Sequence, residues 1–217
     1  MRSKQWVIGG VAVVLVAGVG FALSTGGAVA TRVASGSRSS GGGAMMGGAA
    51  NGSSATGGGS TITAGDLLSL VSRDERGATV DVAANTVTYS GRAVSLVALA
   101  SPHGKPNMTW EIDGLVNPTI SVTPGARVTV VLVNTDWGYM HGFELTTTSP
   151  PYPQMAMADI ADDFFLMPLP PRTEKDTHTA SYHTRTASFT AAAGVYHYLC
   201  PVPGHAAAGM FGTFVVS

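Results

Sequence analysis

The chain's single cysteine, Cys200, lies in the run Tyr198-Leu199-Cys200-Pro201-Val202-Pro203-Gly204-His205-Ala206-Ala207-Ala208-Gly209-Met210. Four residues separate Cys200 from His205, and four more separate His205 from Met210. Thiolate and thioether are soft donors that suit copper, and imidazole serves both of its oxidation states. A trigonal site of two histidines and one cysteine, with a weak axial methionine, needs a second imidazole. His141 is the candidate, in Trp137-Gly138-Tyr139-Met140-His141-Gly142-Phe143, just after a candidate strand. Two other chemistries compete. Cys200 as a hydrolytic nucleophile would need a polar group to orient its histidine and an oxyanion site. The surrounding Pro, Val, Ala and Gly offer neither side-chain role. Zinc also takes thiolate and imidazole, but methionine is not a ligand it selects.

Composition narrows the classes further. One cysteine excludes an internal disulfide, zinc ribbons, CxxC redox motifs, four-cysteine iron–sulfur clusters and a two-thiolate binuclear copper centre. The other histidines are His103, His178, His183 and His197, and no His-x-His pair occurs for a trinuclear copper centre. One mononuclear copper that carries electrons, rather than an enzyme that reduces oxygen, is the expectation. With 12 basic and 13 acidic residues the formal charge is -1, which excludes an electrostatic nucleic-acid binder.

The elements that must position these donors read as strands. Asp66–Arg76 predicts one short helix with Asp66 as N-cap and Gly77 as stop. Predicted strands are Thr79–Val82, Thr86–Tyr89, Ala93–Leu99, Thr109–Ile112, Thr119–Val122, Arg127–Val133, Phe143–Thr147, Thr179–Phe189, Val195–Leu199 and Phe211–Val216. They are short, rich in Val, Thr, Tyr and Phe, and broken by Gly, Pro and Asn. No helix alternates with them, so a β-sandwich or barrel is expected. Thr148–Pro171, rich in Pro, Met and Phe, reads as a long loop covering it.

With these residues in place, the Cys-x4-His-x4-Met segment resembles the copper-binding loop of the cupredoxins, and most closely the rusticyanin and sulfocyanin group. Asn85-Thr86-Val87-Thr88-Tyr89-Ser90-Gly91, Asn117-Pro118-Thr119, Asn134-Thr135, Pro150-Pro151-Tyr152 and Ala193-Gly194-Val195-Tyr196 extend the likeness over most of residues 66–217. The resemblance implies an all-β, Greek-key blue-copper sandwich with a short N-terminal helical extension packed on it. It implies copper ligands at His141, Cys200, His205 and Met210, and suggests an acid-living, respiring microbe. One departure stands out: many cupredoxins carry a polar side chain just after the first histidine, whereas this chain has Gly142. An apolar shell of Met140, Phe143, Pro201, Val202, Pro203, Ala206–Ala208 and Phe211 predicts a high reduction potential.

The N-terminus predicts export. Arg2 and Lys4 precede an apolar run, Val7–Leu23, and Ala28-Val29-Ala30 fits a cleavage pattern, so residues 1–30 are a signal peptide or a membrane anchor. Residues 31–60 hold 10 Gly, 7 Ser and 5 Ala, too little apolar surface to fold, and read as a flexible linker that serves an anchored domain. Residues 61–217 are then one monomeric cupredoxin domain on the periplasmic or extracytoplasmic side. Its expected partners are a cytochrome or another copper protein docking near His205. An exported copper-delivery protein is the alternative; Met45-Met46 is the one methionine pair that favours it.

Overall fold

A computed structural model of the chain describes residues 59–74, 77–156 and 162–217. The expected signal or anchor and nearly all of the expected linker lie outside the described residues. Among the described residues no helix is long and apolar enough to cross a membrane.

Two sheets, their strands numbered in chain order, build the domain. One has six strands in the order β1 (Ser60–Thr63), β11 (Ser181–Thr190), β8 (Arg127–Asn134), β4 (Ala93–Ala100), β5 (Trp110–Ile112) and β6 (Leu115–Val116). The other has seven, in the order β10 (Asp162–Leu169), β9 (His141–Thr146), β12 (Gly194–Leu199), β13 (Phe211–Val216), β7 (Thr119–Val122), β3 (Thr86–Tyr89) and β2 (Thr79–Asp81). Neighbours are mostly non-consecutive, and β4–β8, β3–β7 and β7–β13 pair in parallel, so the chain repeatedly crosses between the sheets. This is the expected cupredoxin-like Greek-key sandwich. Its inner faces supply one core that includes Leu96, Trp110, Ile120, Leu132, Phe143, Leu166, Tyr198 and Phe214. Removing each such side chain from water stabilises the fold by roughly 1.5–3 kcal/mol.

Strand β4 shows why the extension is there. Leu96 and Ala98 enter the sandwich core, while Val97 and Leu99 point to the other face yet are only 2% and 8% exposed. The helix α1 (Ala64–Asp74) covers them, packing Leu67, Leu70 and Val71 against Val97, Leu99, Val133 and Tyr182. Its start differs from the expectation. Asp66 is not the N-cap: Thr63 Oγ1 accepts from the Asp66 N–H at 3.2 Å, and Asp66 Oδ2 accepts from the Thr63 N–H at 3.1 Å. That reciprocal capping box places the start two residues earlier, because the side chain that comes first in the chain takes the orphan N–H. The Thr63 hydroxyl also donates to Asp66 Oδ2 at 2.7 Å, and this bond first, then the one from the Thr63 N–H, holds the Asp66 carboxyl below its ordinary pKa.

The second difference lies in the expected loop Thr148–Pro171. Residues Asp162–Leu169 form β10, which pairs with β9 and makes the edge of the seven-stranded sheet. Pro168 hides the strand in the sequence, but an edge strand with a register shift between Leu166 and Leu169 accommodates a residue without an N–H. The buried Phe164 and Leu166 supply the inward-facing alternation.

Candidate metal centre

The strand order brings His141, Cys200 and Met210 to one end of one sheet. β9 begins at His141, two residues before the expected strand, and its neighbour β12 ends at Leu199, one residue before Cys200. β13, the next strand across, begins at Phe211, one residue after Met210. The loop Pro201–Met210 closes on itself through His205 N–H to Val202 O (3.1 Å), Met210 N–H to His205 O (3.0 Å) and Cys200 N–H to Met210 O (3.1 Å). Two residues outside the loop hold its far end. Trp110 Nε1 donates to Met210 O at 3.3 Å, and Asn117 Nδ2 donates to Gly209 O at 3.0 Å.

Three donor atoms converge there. Cys200 Sγ lies 3.7 Å from His141 Nδ1 and 3.4 Å from His205 Nδ1, and the two nitrogens are 3.1 Å apart. His141 and Cys200 are fully buried and His205 is 6% exposed. Met210 is also fully buried, in the same cluster as Cys200.

Second contacts set the orientation of each donor. His141 Nε2 lies 2.9 Å from Asp136 Oδ2. An ionised carboxylate only accepts, so Nε2 carries the ring's proton and Nδ1 presents a lone pair inward. Burial raises the Asp136 carboxyl, but bonds from Gly138 N–H, the His141 ring and Tyr139 N–H outweigh it and hold the group below its ordinary pKa. Burial lowers the His141 pKa more than Asp136 raises it, which keeps the ring neutral and ligating. His205 is pushed down to about 4, first by burial and then by His141, with Asp136 opposing. Burial pushes the Cys200 thiol up to about 12; the backbone N–H groups of Val202 and Gly142 point at the sulfur and lower it, and the charge of Glu144 raises it.

This donor set fits a metal ion. Two imidazole lone pairs and a thiol, desolvated and crowded to within 3.7 Å, repel one another unless a cation or a proton lies among them. Donors about 2.0–2.3 Å from an ion match a triangle of this size. The donor types favour a soft or borderline ion, and His141, Cys200 and His205 form a candidate site for a single copper.

Gly142 is explained by packing. A Cβ there would meet Leu166 O at 2.9 Å, Pro201 Cγ at 3.0 Å and Pro168 Cγ at 3.1 Å. No polar side chain fits between those prolines, and the residue instead contributes its backbone N–H to the sulfur. Asp136, five residues before His141, was not among the residues singled out in the sequence. The signal available was an acidic residue near a candidate histidine, which is common without such a role.

The expected shell is part buried and part exposed. Phe143, Pro201 and Ala206 are buried around the donors. Met140 is 49% exposed, and Pro203, Ala207 and Ala208 also face outward. The Tyr139 ring meets the His205 ring edge-on at 6.0 Å and helps to cover it. Trp137 and Tyr139, in the segment that leads into His141, are 46% and 53% exposed. The remaining histidines lie elsewhere: His103 and His178 are exposed on turns, His183 pairs with Asn134 in the sheet, and His197 faces away from Cys200 along β12.

No family model matches the chain. A curated relative, rusticyanin of Acidithiobacillus ferrooxidans, is 38% identical over 136 residues, which is 62% of this chain and 69% of that one. Among solved structures, rusticyanin from Thiobacillus ferrooxidans at 1.27 Å superposes with a TM-score of 0.64 at 32% identity. It covers 74% of this chain and 97% of its own. A structure described as the copper protein rusticyanin, at 2.1 Å, gives a TM-score of 0.63 at 33% identity and covers 74% of this chain and 98% of its own.

Proposed function

The chain belongs to the rusticyanin family, and from that premise we propose that it is a mononuclear blue-copper electron carrier, not an enzyme, working in an extracytoplasmic respiratory chain. His141, Cys200 and His205 hold the ion in this reading, with Met210 as the weak axial ligand. The bound copper supplies one-electron chemistry by passing between Cu(I) and Cu(II). The chain's own residues do the rest. The strand ends hold the donors in place, Asp136 keeps His141 aimed, burial keeps its ring neutral, and the buried surroundings exclude water. Two N–H groups at the sulfur and an apolar shell disfavour the extra charge of the oxidised state, which supports a high reduction potential.

The observation that carries this reading is the meeting of Cys200 Sγ with two histidine Nδ1 atoms at 3.4 and 3.7 Å. Electrons enter and leave through the uncharged face over His205, where Tyr139, Trp137, Pro203 and Ala207 form a surface suited to a brief contact with a cytochrome or another copper protein. Residues 1–30 export the domain, as a signal peptide or as a membrane anchor, and residues 31–60 link them to a monomeric domain. Copper delivery has one observation in its favour, the exposed thioethers of Met140, Met155 and Met167.

Copper titration of ligand variants tests the assignment. Cys200→Ser should lose the intense visible band, and His141→Ala and His205→Ala should bind copper weakly. Met210→Gln should keep the band and lower the potential, since an oxygen donor favours the oxidised ion. A Met210→Gln protein with unchanged potential removes Met210 from the ligand set. Rapid copper loss to an acceptor without reversible redox supports delivery instead.

A further inference from the structure

Arg172 is a buried cation whose side-chain bonds all go to backbone carbonyls. It is 7% exposed, and follows β10 after Pro170 and Pro171. Its Nε donates to Glu174 O at 3.0 Å, its Nη2 to Lys175 O at 3.0 Å and its Nη1 to Thr135 O. Its backbone N–H donates to Asp136 O at 2.9 Å. The guanidinium therefore folds residues 172–175 into a knuckle and staples that knuckle to the Thr135 carbonyl, next to the Asp136 carbonyl held by the Arg172 backbone N–H.

Asn134 closes the clamp from the other side. Its Nδ2 lies 2.9 Å from each of the Leu169, Pro170 and Tyr139 carbonyls, and its Oδ1 accepts from the Asp136 N–H at 3.0 Å. Both polar groups of the Asp136 backbone are thus taken, the N–H by the Asn134 side chain and the carbonyl by the Arg172 backbone N–H, while the guanidinium holds the preceding carbonyl, that of Thr135. Neither bond touches a metal donor. Both fix the residue whose carboxylate receives the His141 Nε2 proton.

We propose that Arg172 is a positioning residue for the metal centre, holding the 134–136 backbone so that Asp136 stays on His141. The proposal rests on the copper reading above only for its consequence at the metal. The planar guanidinium suits the task because its donors form a fixed fork that spans three carbonyls at once. A lysine ammonium is a single point and does not reach all three.

The test uses the full chain as wild type, Arg172→Ala and Arg172→Lys. A core variant remote from the site, Val94→Ala, serves as a control for lost stability. Nitrogen-15 NMR of the metal-free protein reads the His141 Nε2–H directly. Wild type should show a protected Nε2–H and a single tautomer. Arg172→Ala should speed exchange of that proton at least tenfold and mix the tautomers, and Arg172→Lys should fall between. The control should keep the wild-type signature. In the copper-loaded proteins the reduction potential should move in the same order. If Arg172→Ala does not fold, Arg172→Lys decides alone. Arginine variants with a wild-type His141 signature and potential, whatever their melting temperature, overturn the proposal. So does a wild type whose His141 Nε2–H is unprotected. A protected proton in a wild-type chain that takes up no copper leaves this inference standing and removes the carrier reading, so the two failures are distinguishable.

Discussion

Asp136 and His141, five residues apart, meet at 2.9 Å between Oδ2 and Nε2, and this bond decides which ring nitrogen faces Cys200. The carboxylate also places a negative charge beside a ligand, which favours the oxidised ion. Asp136→Asn keeps an oxygen able to accept from Nε2–H but removes the charge. The reduction potential should rise by tens of millivolts, where about 59 mV is a tenfold change for one electron. Voltammetry showing no rise contradicts the electrostatic part of the account.

The pH dependence of the metal-free protein follows from His205. Its pKa is about 4 folded, against 6.5 for the free side chain. Between those values the unfolded chain binds a proton that the folded chain refuses. Stability is therefore complete near pH 7 and falls as pH drops from 6.5 towards 4, by on the order of 3 kcal/mol. His141, also lowered by burial, acts in the same direction. Urea denaturation at pH 7, 5.5 and 4 reads this. A stability that stays flat or rises on acidification is the opposing result. Copper should flatten the decline, since a nitrogen that holds the ion is closed to protons.

Gly142→Ser tests whether the space after the first ligand is closed. Its Cβ meets a carbonyl and two proline rings at 2.9–3.1 Å. The variant should lose roughly 1–3 kcal/mol and shift the visible spectrum as Pro201 moves. Unchanged stability and spectrum would show that the prolines yield freely.

The docking face is tested by charge. Ala207→Asp puts a carboxylate on an exposed, uncharged surface two residues from His205. Transfer to a partner should slow while the copper spectrum stays the same. Stopped-flow rates equal to those of wild type would place docking elsewhere.

Much of this candidate centre is legible in the chain because three of its predicted donors lie in one loop. Cys200, His205 and Met210 need only a local turn to meet, so their spacing carries the chemistry. His141 is harder, since it depends on which strands become neighbours, and β9 beside β12 is a tertiary fact. The strands Thr86–Tyr89, Thr119–Val122 and Phe211–Val216 coincide with their sequence patterns. The edge strand β10 does not, because Pro168 reads as a breaker unless the edge position is known. Asp136, Asn134 and Arg172 escape for a different reason. Their roles are bonds to backbone groups and to a ring far along the chain, and no residue spacing encodes such a partner. Gly142, legible as a missing polar side chain, is in the structure a requirement of two prolines.

The central claim is a single thiolate–copper site that cycles reversibly. The direct measurement is the visible absorption spectrum of the protein after one equivalent of Cu(II), then after a reductant, then after reoxidation. The account predicts an intense blue band that appears at one copper per chain, bleaches on reduction and returns. A folded protein that stays colourless and binds no copper contradicts it.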